Sequence, residues 1–187
     1  MKKILVGLCG LALTFIASAE TFTVDAVHSG IGFSVKHMMV SNVKGSFNTF
    51  EGSLDYDIAT KTLKSVEGTI DAASIDTNNS KRDRHLNNED FFNTGTFSEI
   101  TFKSTSVEKT GDNTFTVTGN LNVLGVDHEV VLPVTINGPV DGRRGAKLIG
   151  VESTLTINRR DIGITQSPAA AIGDEVKVEI NAEATHK

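Results

Sequence analysis

The chain is predicted to be all-β, a closed antiparallel barrel of about eight strands with a short helical insertion around residues 80–90. Three observations carry that expectation. Apolar and polar residues alternate with a period of two through most of the sequence, the pattern of half-buried strands. Turn-forming residues fall between the alternating runs. The runs are about ten residues long, which is long for a sandwich, and a sheet of such strands avoids exposed edges by closing on itself.

The first residues stand apart from this pattern. Met1-Lys2-Lys3 is a basic start, Ile4 to Ala17 is an apolar run, and Ala17-Ser18-Ala19 matches a small-residue cleavage site. Residues 1–19 are therefore expected to be a signal peptide, with residues 20–187 forming one domain. The run is shorter than the ~20 apolar residues of a spanning helix, so no stable membrane anchor is expected. Leu8 precedes Cys9 where a lipoprotein signal carries a small residue. Removing Lys2 and Lys3 from the 18 basic residues leaves 16 against 23 acidic ones, a net charge of −7. That balance argues against a nucleic-acid partner. The only Cys is lost with the leader, so an exported chain without disulfides must rely on its core.

Along the mature chain, Phe22 and Val24 are expected to pair with the C-terminal strand and close the sheet. Ile31, Phe33, Val35 and His37 share one face of the next run. Phe50, Gly52, Leu54, Tyr56 and Ile58 form another face, and Val66, Gly68, Ile70 and Ala72 another. Ile100 and Phe102 begin a strand. Phe115, Val117, Gly119, Leu121 and Val123 alternate with Thr and Asn, and a turn at Leu124-Gly125-Val126 leads to His128, Val130, Leu132, Val134 and Ile136. Ile149 to Ile157 and Val176 to Ala184 complete the set. Gly111-Asp112-Asn113 and Gly138-Pro139 through Gly145 supply turns. Gly52, Gly68 and Gly119 lie on apolar faces, where they either bend strands at barrel corners or leave space along the axis.

Chemistry-bearing motifs are sparse. Five His are present without H-x-x-x-H or C-x-x-C spacing, so no metal site is expected. His28 and His37 are nine residues apart and point to opposite faces unless a bulge intervenes. There is no G-x-S-x-G elbow and no Cys in the mature chain. Asp25, His28 and Ser29 have the residue types of a triad, but their adjacency favours a hydrogen bond across a strand bend. Gly138 to Gly145 lacks the Lys-Ser/Thr ending of a phosphate loop and reads as a hairpin tip. No catalytic cofactor is expected.

The break in the strand pattern is Arg82 to Phe92, charged at its start and aromatic at its end. Ser80-x-x-Asp83 resembles a helix cap, and helical spacing turns the charges outward while Leu86, Phe91 and Phe92 drop inward. The segment is either a structural plug at one barrel end or a mouth at which His85 and the arginines meet a ligand head group.

Taken in order, the motifs resemble the YceI-like family of bacterial periplasmic proteins. They begin with Val24-Asp25-x-x-His28-Ser29-x-Ile31-x-Phe33-x-Val35-x-His37 and Val43-x-Gly45-x-Phe47-x-x-Phe50-x-Gly52. They continue with Ser74-Ile75-Asp76-Thr77, Arg82-Asp83-x-His85-Leu86, Phe91-Phe92 and Ile100-Thr101-Phe102-x-Ser104. Ile157-Asn158-Arg159-x-Asp161-x-Gly163 and Ile172-Gly173-x-x-Val176 close the series. The resemblance implies a lipocalin-like barrel whose elongated hydrophobic tunnel holds a long amphiphile: a polyisoprenoid, an isoprenoid quinone or a fatty-acid derivative. It also implies a periplasmic location, a homodimer, and binding without catalysis. On strand parity, the expected wall residues are Ile31, Phe33, Val35, Phe47, Phe50, Leu54, Phe102, Phe115 and Leu121. Leu86, Phe91 and Phe92 are expected to gate one end, with His37 and His85 as polar contacts. Phe33→Trp or Gly119→Leu is expected to block the tunnel. The alternative is a lipid-transforming enzyme that uses His85 or the Asp25/His28 pair. No binding patch is evident on the barrel exterior.

Overall fold

A computed structural model describes residues 19–187; the predicted signal peptide lies outside them apart from Ala19. The strands are β1 (Glu20–His37), β2 (Ser41–Phe47), β3 (Phe50–Asp57), β4 (Thr62–Asp71), β5 (Ile75–Asp76), β6 (Glu99–Lys109), β7 (Thr114–Val123), β8 (Val126–Asp141), β9 (Lys147–Asn158) and β10 (Ile172–His186). One helix, α1 (Ser80–Leu86), lies in the predicted insertion. Every strand pairing is antiparallel. Eight strands close in the order β1-β3-β4-β6-β7-β8-β9-β10, with the ring sealed by β10 against β1. Phe22 and Val24 do lie in the closing strand, where Val24 pairs with Ala184. The short strands β2 and β5 extend the sheet beside β1.

β1 is 18 residues long because it serves more than one neighbour. Glu20–Thr23 pairs with β3, whereas Ile31–His37 pairs with β2; β10 runs along the opposite edge of both halves. Between the halves, Asp25 pairs with Glu183 and Gly30 with Asn181, so Ala26 to Ser29 face Ala182 alone. This wide bulge is locked by Ser29, whose Oγ donates to Asp25 O (2.6 Å) and accepts from Glu183 N (3.0 Å). Such an excess of residues on one strand kinks it and re-aims the second half of β1.

The barrel is filled at one end only. Phe22, Tyr56, Leu63, Phe115, Val117, Ile136, Ile149 and Ala184 are fully buried in one cluster. Phe22 meets the Tyr56 ring edge-on at 6.3 Å, a favoured aromatic geometry. The β3–β4, β6–β7 and β8–β9 hairpins lie at this end. At the other end a smaller cluster holds Ala72, Ile100 and Val123, with Phe47, Ile70, Phe92 and Leu121 half-buried against it. That end carries the β1–β2 and β7–β8 hairpins, the α1 insertion and the β9–β10 loop. In the β8–β9 hairpin, Gly138 and Pro139 lie within β8, at a register shift between Asn137 and Val140. The turn itself comes later, at residues 142–146.

The helix cap differs from expectation by one residue. Asn79, not Ser80, is the N-cap, and its side chain accepts from Lys81 N and Arg82 N. Asp83 looks back instead, accepting from the backbone N and the hydroxyl of Thr77. Among the described residues, no helix is long and apolar enough to cross a membrane.

Candidate functional site

The unfilled half of the barrel encloses an apolar cavity of about 490 Å³. Its walls are Ile31, Phe33 and Val35 of β1, Val43 and Phe47 of β2, Ile157 of β9 and Val176 and Val178 of β10. Leu86, Phe91 and Phe92 close it on the insertion side, and Ile162, Ile164 and Ala171 of the β9–β10 loop on the other. A deeper compartment of about 190 Å³ continues toward the filled end, between Phe50, Leu54, Val66, Phe102, Leu132, Leu155 and Ile180. The two share Ile31, Ile70, Ile100, Leu121, Ile157 and Val178 as walls. They therefore form successive compartments along one axis.

Of the predicted site residues, Ile31, Phe33, Val35, His37, Phe47, His85, Leu86, Phe91, Phe92 and Leu121 line the outer compartment. Ile31, Phe50, Leu54, Phe102 and Leu121 line the inner one. Phe115 is the correction. It faces inward as parity requires, but it lies in the filled end, 2% exposed, and touches neither compartment.

The glycines divide between the two expectations. Gly52 and Gly68 sit opposite each other and line the inner compartment with bare backbone. Gly119 leaves no room. A Cβ there would fall 2.5 Å from Phe102 Cζ and 2.6 Å from Lys103 O, so the Phe102 ring already fills that space. Gly119→Leu is accordingly expected to cost about 1–3 kcal/mol of stability by overpacking, rather than to plug a tunnel. Urea unfolding measures it, and an unchanged midpoint would contradict the packing.

Polar groups gather at the mouth, and most are already engaged. Arg159, with its side chain 4% exposed, donates to the carbonyls of Gly173, Ile164, Gln166, Ser167 and Ile172 at 2.6–3.1 Å and pairs with Asp174. Burial and the neighbouring Arg160 lower its pKa, and the Asp174 carboxylate opposes them. Arg160 binds Asp174 at 2.7 Å and the carbonyls of Thr165 and Ser167. Together the two arginines fold the β9–β10 loop over the cavity. Parity cannot find such residues. The only sequence signal for them is the Asn158-Arg159-x-Asp161-x-Gly163 motif, which marks an irregular turn but not its clamp.

Arg82 is half-buried on the cavity rim. Its Nε donates to Thr77 Oγ1 (2.7 Å) and its Nη2 to Thr77 O (2.8 Å). The side chain of His85 is 58% exposed, with Nε2 3.5 Å from Asp90 Oδ2 and its ring edge-on to Phe91 at 5.0 Å. Asp90 in turn accepts from Gln166 Nε2 at 2.8 Å. His85, Asp90 and Gln166 thus link the insertion to the β9–β10 loop. His37 stands on the rim at the end of β1.

Asp25 and His28 do hydrogen-bond across the bulge, Nδ1 to Oδ2, at 2.8 Å. His28 falls within the bulge and lines neither compartment, whereas His37 lines the outer one. Together with Glu183, Asp25 and His28 bring three metal-ligand atoms within 4.8 Å of one another. The hydrogen bond to Asp25 raises the His28 pKa, and the same bond lowers that of Asp25. Each stabilises the charged form of the other, so the imidazole holds its proton to higher pH than a free histidine. Ser29 Oγ is spent on the backbone. None of these side chains lines either compartment.

The model of the YceI-like domain matches residues 22–184. The chain belongs to the YceI-like family. A UPF0312 protein from a Shewanella species is 34% identical over 190 residues, covering 100% of this chain and 99% of the relative. Among solved structures, a YCEI protein of Campylobacter jejuni superposes with a TM-score of 0.76 at 29% identity, covering 100% of this chain and 99% of that one. A polyisoprenoid binding domain from Saccharophagus degradans, implicated in plant cell wall breakdown, shares the fold with a TM-score of 0.65 at 18% identity, covering 89% of this chain and 98% of that one. In this YceI-like barrel, the cavity, the α1 insertion and the β9–β10 loop are features of a single end.

Proposed function

We propose that this YceI-like protein binds, stores or carries a long-chain amphiphile, with its tail in the two-compartment cavity and its head group at the mouth. The ligand classes are a polyisoprenoid, an isoprenoid quinone or a fatty-acid derivative, and the place of action is the periplasm, reached through the N-terminal signal peptide. The observation that carries this is the continuity of two apolar compartments through shared walls. Such a shape fits a chain better than a compact solute. Each buried CH₂ contributes about 0.8 kcal/mol, against the cost of ordering the chain and desolvating its head group. Tail recognition then tolerates variety, and the few polar groups at the mouth set orientation. The polyisoprenoid binding named for the Saccharophagus domain is consistent with this.

Binding without catalysis is favoured over a lipid-transforming enzyme. Asp25 and His28 lie outside the cavity, and His85 is engaged with Asp90 and Phe91. Organic extraction of the protein purified from its native periplasm, followed by mass identification, is expected to return an intact lipid. Turnover of a lipid extract that is abolished by His85→Ala would replace the carrier with the enzyme.

A further inference from the structure

We infer that the β1–β2 hairpin tip, Met38-Met39-Val40, docks the mouth of the barrel onto a lipid bilayer surface. The three side chains are 57%, 60% and 84% exposed and consecutive. Other exposed valines, Val27, Val126, Val131 and Val140, stand apart from one another in sequence, and single apolar residues on a surface need no explanation. The tip is fixed at the rim: Met38 N donates to Ala171 O at 2.9 Å, and His37 and Ala171 on either side of that bond line the outer compartment. Met38 and Met39 have φ of 49° and 58°, a backbone that Gly or Asn adopts more readily. Large apolar side chains therefore stand where local sterics favour small or polar ones. Of the three hairpin tips at the filled end, Thr110-Gly111-Asp112-Asn113 and Gly142-Arg143-Arg144-Gly145 are polar, and in Ile58-Ala59-Thr60-Lys61 the Ile58 side chain packs against the core, leaving Ala59 as the exposed apolar residue.

A bilayer fits this tip better than a second copy of the chain does. Three side chains on one turn offer far less than the roughly 800 Å² per partner of a stable protein interface. They match the depth at which apolar side chains enter the headgroup boundary. Lys36 beside the tip and Lys81 and Arg84 on α1 are exposed at the same end and can reach phosphates by snorkelling. Glu89, Asp90 and Asp161 are also exposed there, so apolar insertion rather than charge drives a weak, reversible contact. Docking would bring the cavity mouth against the source or destination of its ligand. The inference rests on the lipid-carrying function proposed above.

The chain contains no Trp, so a single introduced one reports its own surroundings. Val40→Trp and, at the filled end, Asp112→Trp would be mixed with vesicles of phosphatidylethanolamine and a minor share of phosphatidylglycerol, with and without brominated acyl chains. The expected result is a blue shift and bromine quenching at position 40 and neither at position 112. Adding Met39→Asp to Val40→Trp is expected to lower vesicle partitioning about tenfold, and Asp is compatible with the left-handed backbone there. Absence of quenching at position 40, or equal quenching at position 112, overturns the inference. A blue shift that grows with protein concentration in the absence of vesicles overturns it too, in favour of a second copy covering the tip. Lipid extraction of the same preparations separates the two ideas. Bound lipid with an unquenched tip sinks docking alone, and a quenched tip on a lipid-free barrel sinks the carrier alone.

Discussion

Arg159→Met is expected to destabilise the fold by about 3–5 kcal/mol, the range for stripping one partner from a buried charged network. The guanidinium has five N–H donors in a fixed fork, and here it serves three loop carbonyls, two carbonyls at the start of β10 and the Asp174 carboxylate. Removing it leaves those acceptors facing an apolar cavity, each costing about 1–3 kcal/mol if it cannot find water. The loop would relax outward to reach solvent, carrying Ile162, Ile164 and Ala171 away from the mouth. The consequences are a lower denaturation midpoint, faster amide exchange across residues 160–171 and faster loss of bound lipid. Arg159→Lys should fail to restore any of them, because one ammonium with three donors cannot span carbonyls from Ile164 to Gly173. Wild-type stability and lipid retention in the lysine variant would show that Arg159 does not hold the loop.

Arg159 also marks where sequence-level reasoning stops. Its motif is visible, but its role depends on six acceptors spread over the following fifteen residues, and no periodicity encodes how a loop folds back on one side chain. Alternation, by contrast, is a local property. It locates the barrel strands and places Phe22 and Val24 in the closing seam, because the side-chain period of two is fixed by backbone geometry. What alternation omits is height along the barrel. Phe115 and Leu121 share a face of β7, yet at about 3.3 Å per residue they stand roughly 20 Å apart, one in the packed end and the other between the compartments. That difference is set by register with distant strands: Phe115 meets Val134, and Leu121 meets His128. The same blindness makes Gly119 look like open space, since the Phe102 ring that fills it comes from a neighbouring strand. The bulge at Ala26–Ser29 is hidden differently. Its polar residues resemble a catalytic motif, whereas they hold β1 at the place where it changes partner.

Height along the barrel is also what decides the second large effect. Val178→Trp is expected to shorten the longest chain that the cavity accepts. Val178 lies between Phe33 of β1 and Leu155 of β9 and forms part of the wall of both compartments. An indole there projects into the passage between them, into space now empty, so the overpacking cost should stay at the low end of about 1–3 kcal/mol. The inner compartment is then closed to the tail. If wild-type affinity rises by about 0.8 kcal/mol for each methylene buried, it grows roughly fourfold per carbon until the cavity is full. Losing about four methylenes of depth would cost ~3 kcal/mol, on the order of a hundredfold, for the longest ligands and nothing for the shortest. Competition binding with a series of saturated fatty acids of increasing length reads this directly: both proteins climb together, and the variant levels off first. Phe33→Trp, confined to the outer compartment, should instead weaken every chain length alike. Coincident plateaus for Val178→Trp and wild type would mean that the tail never passes Leu121, and the ligand would then be a short amphiphile held in the outer compartment alone.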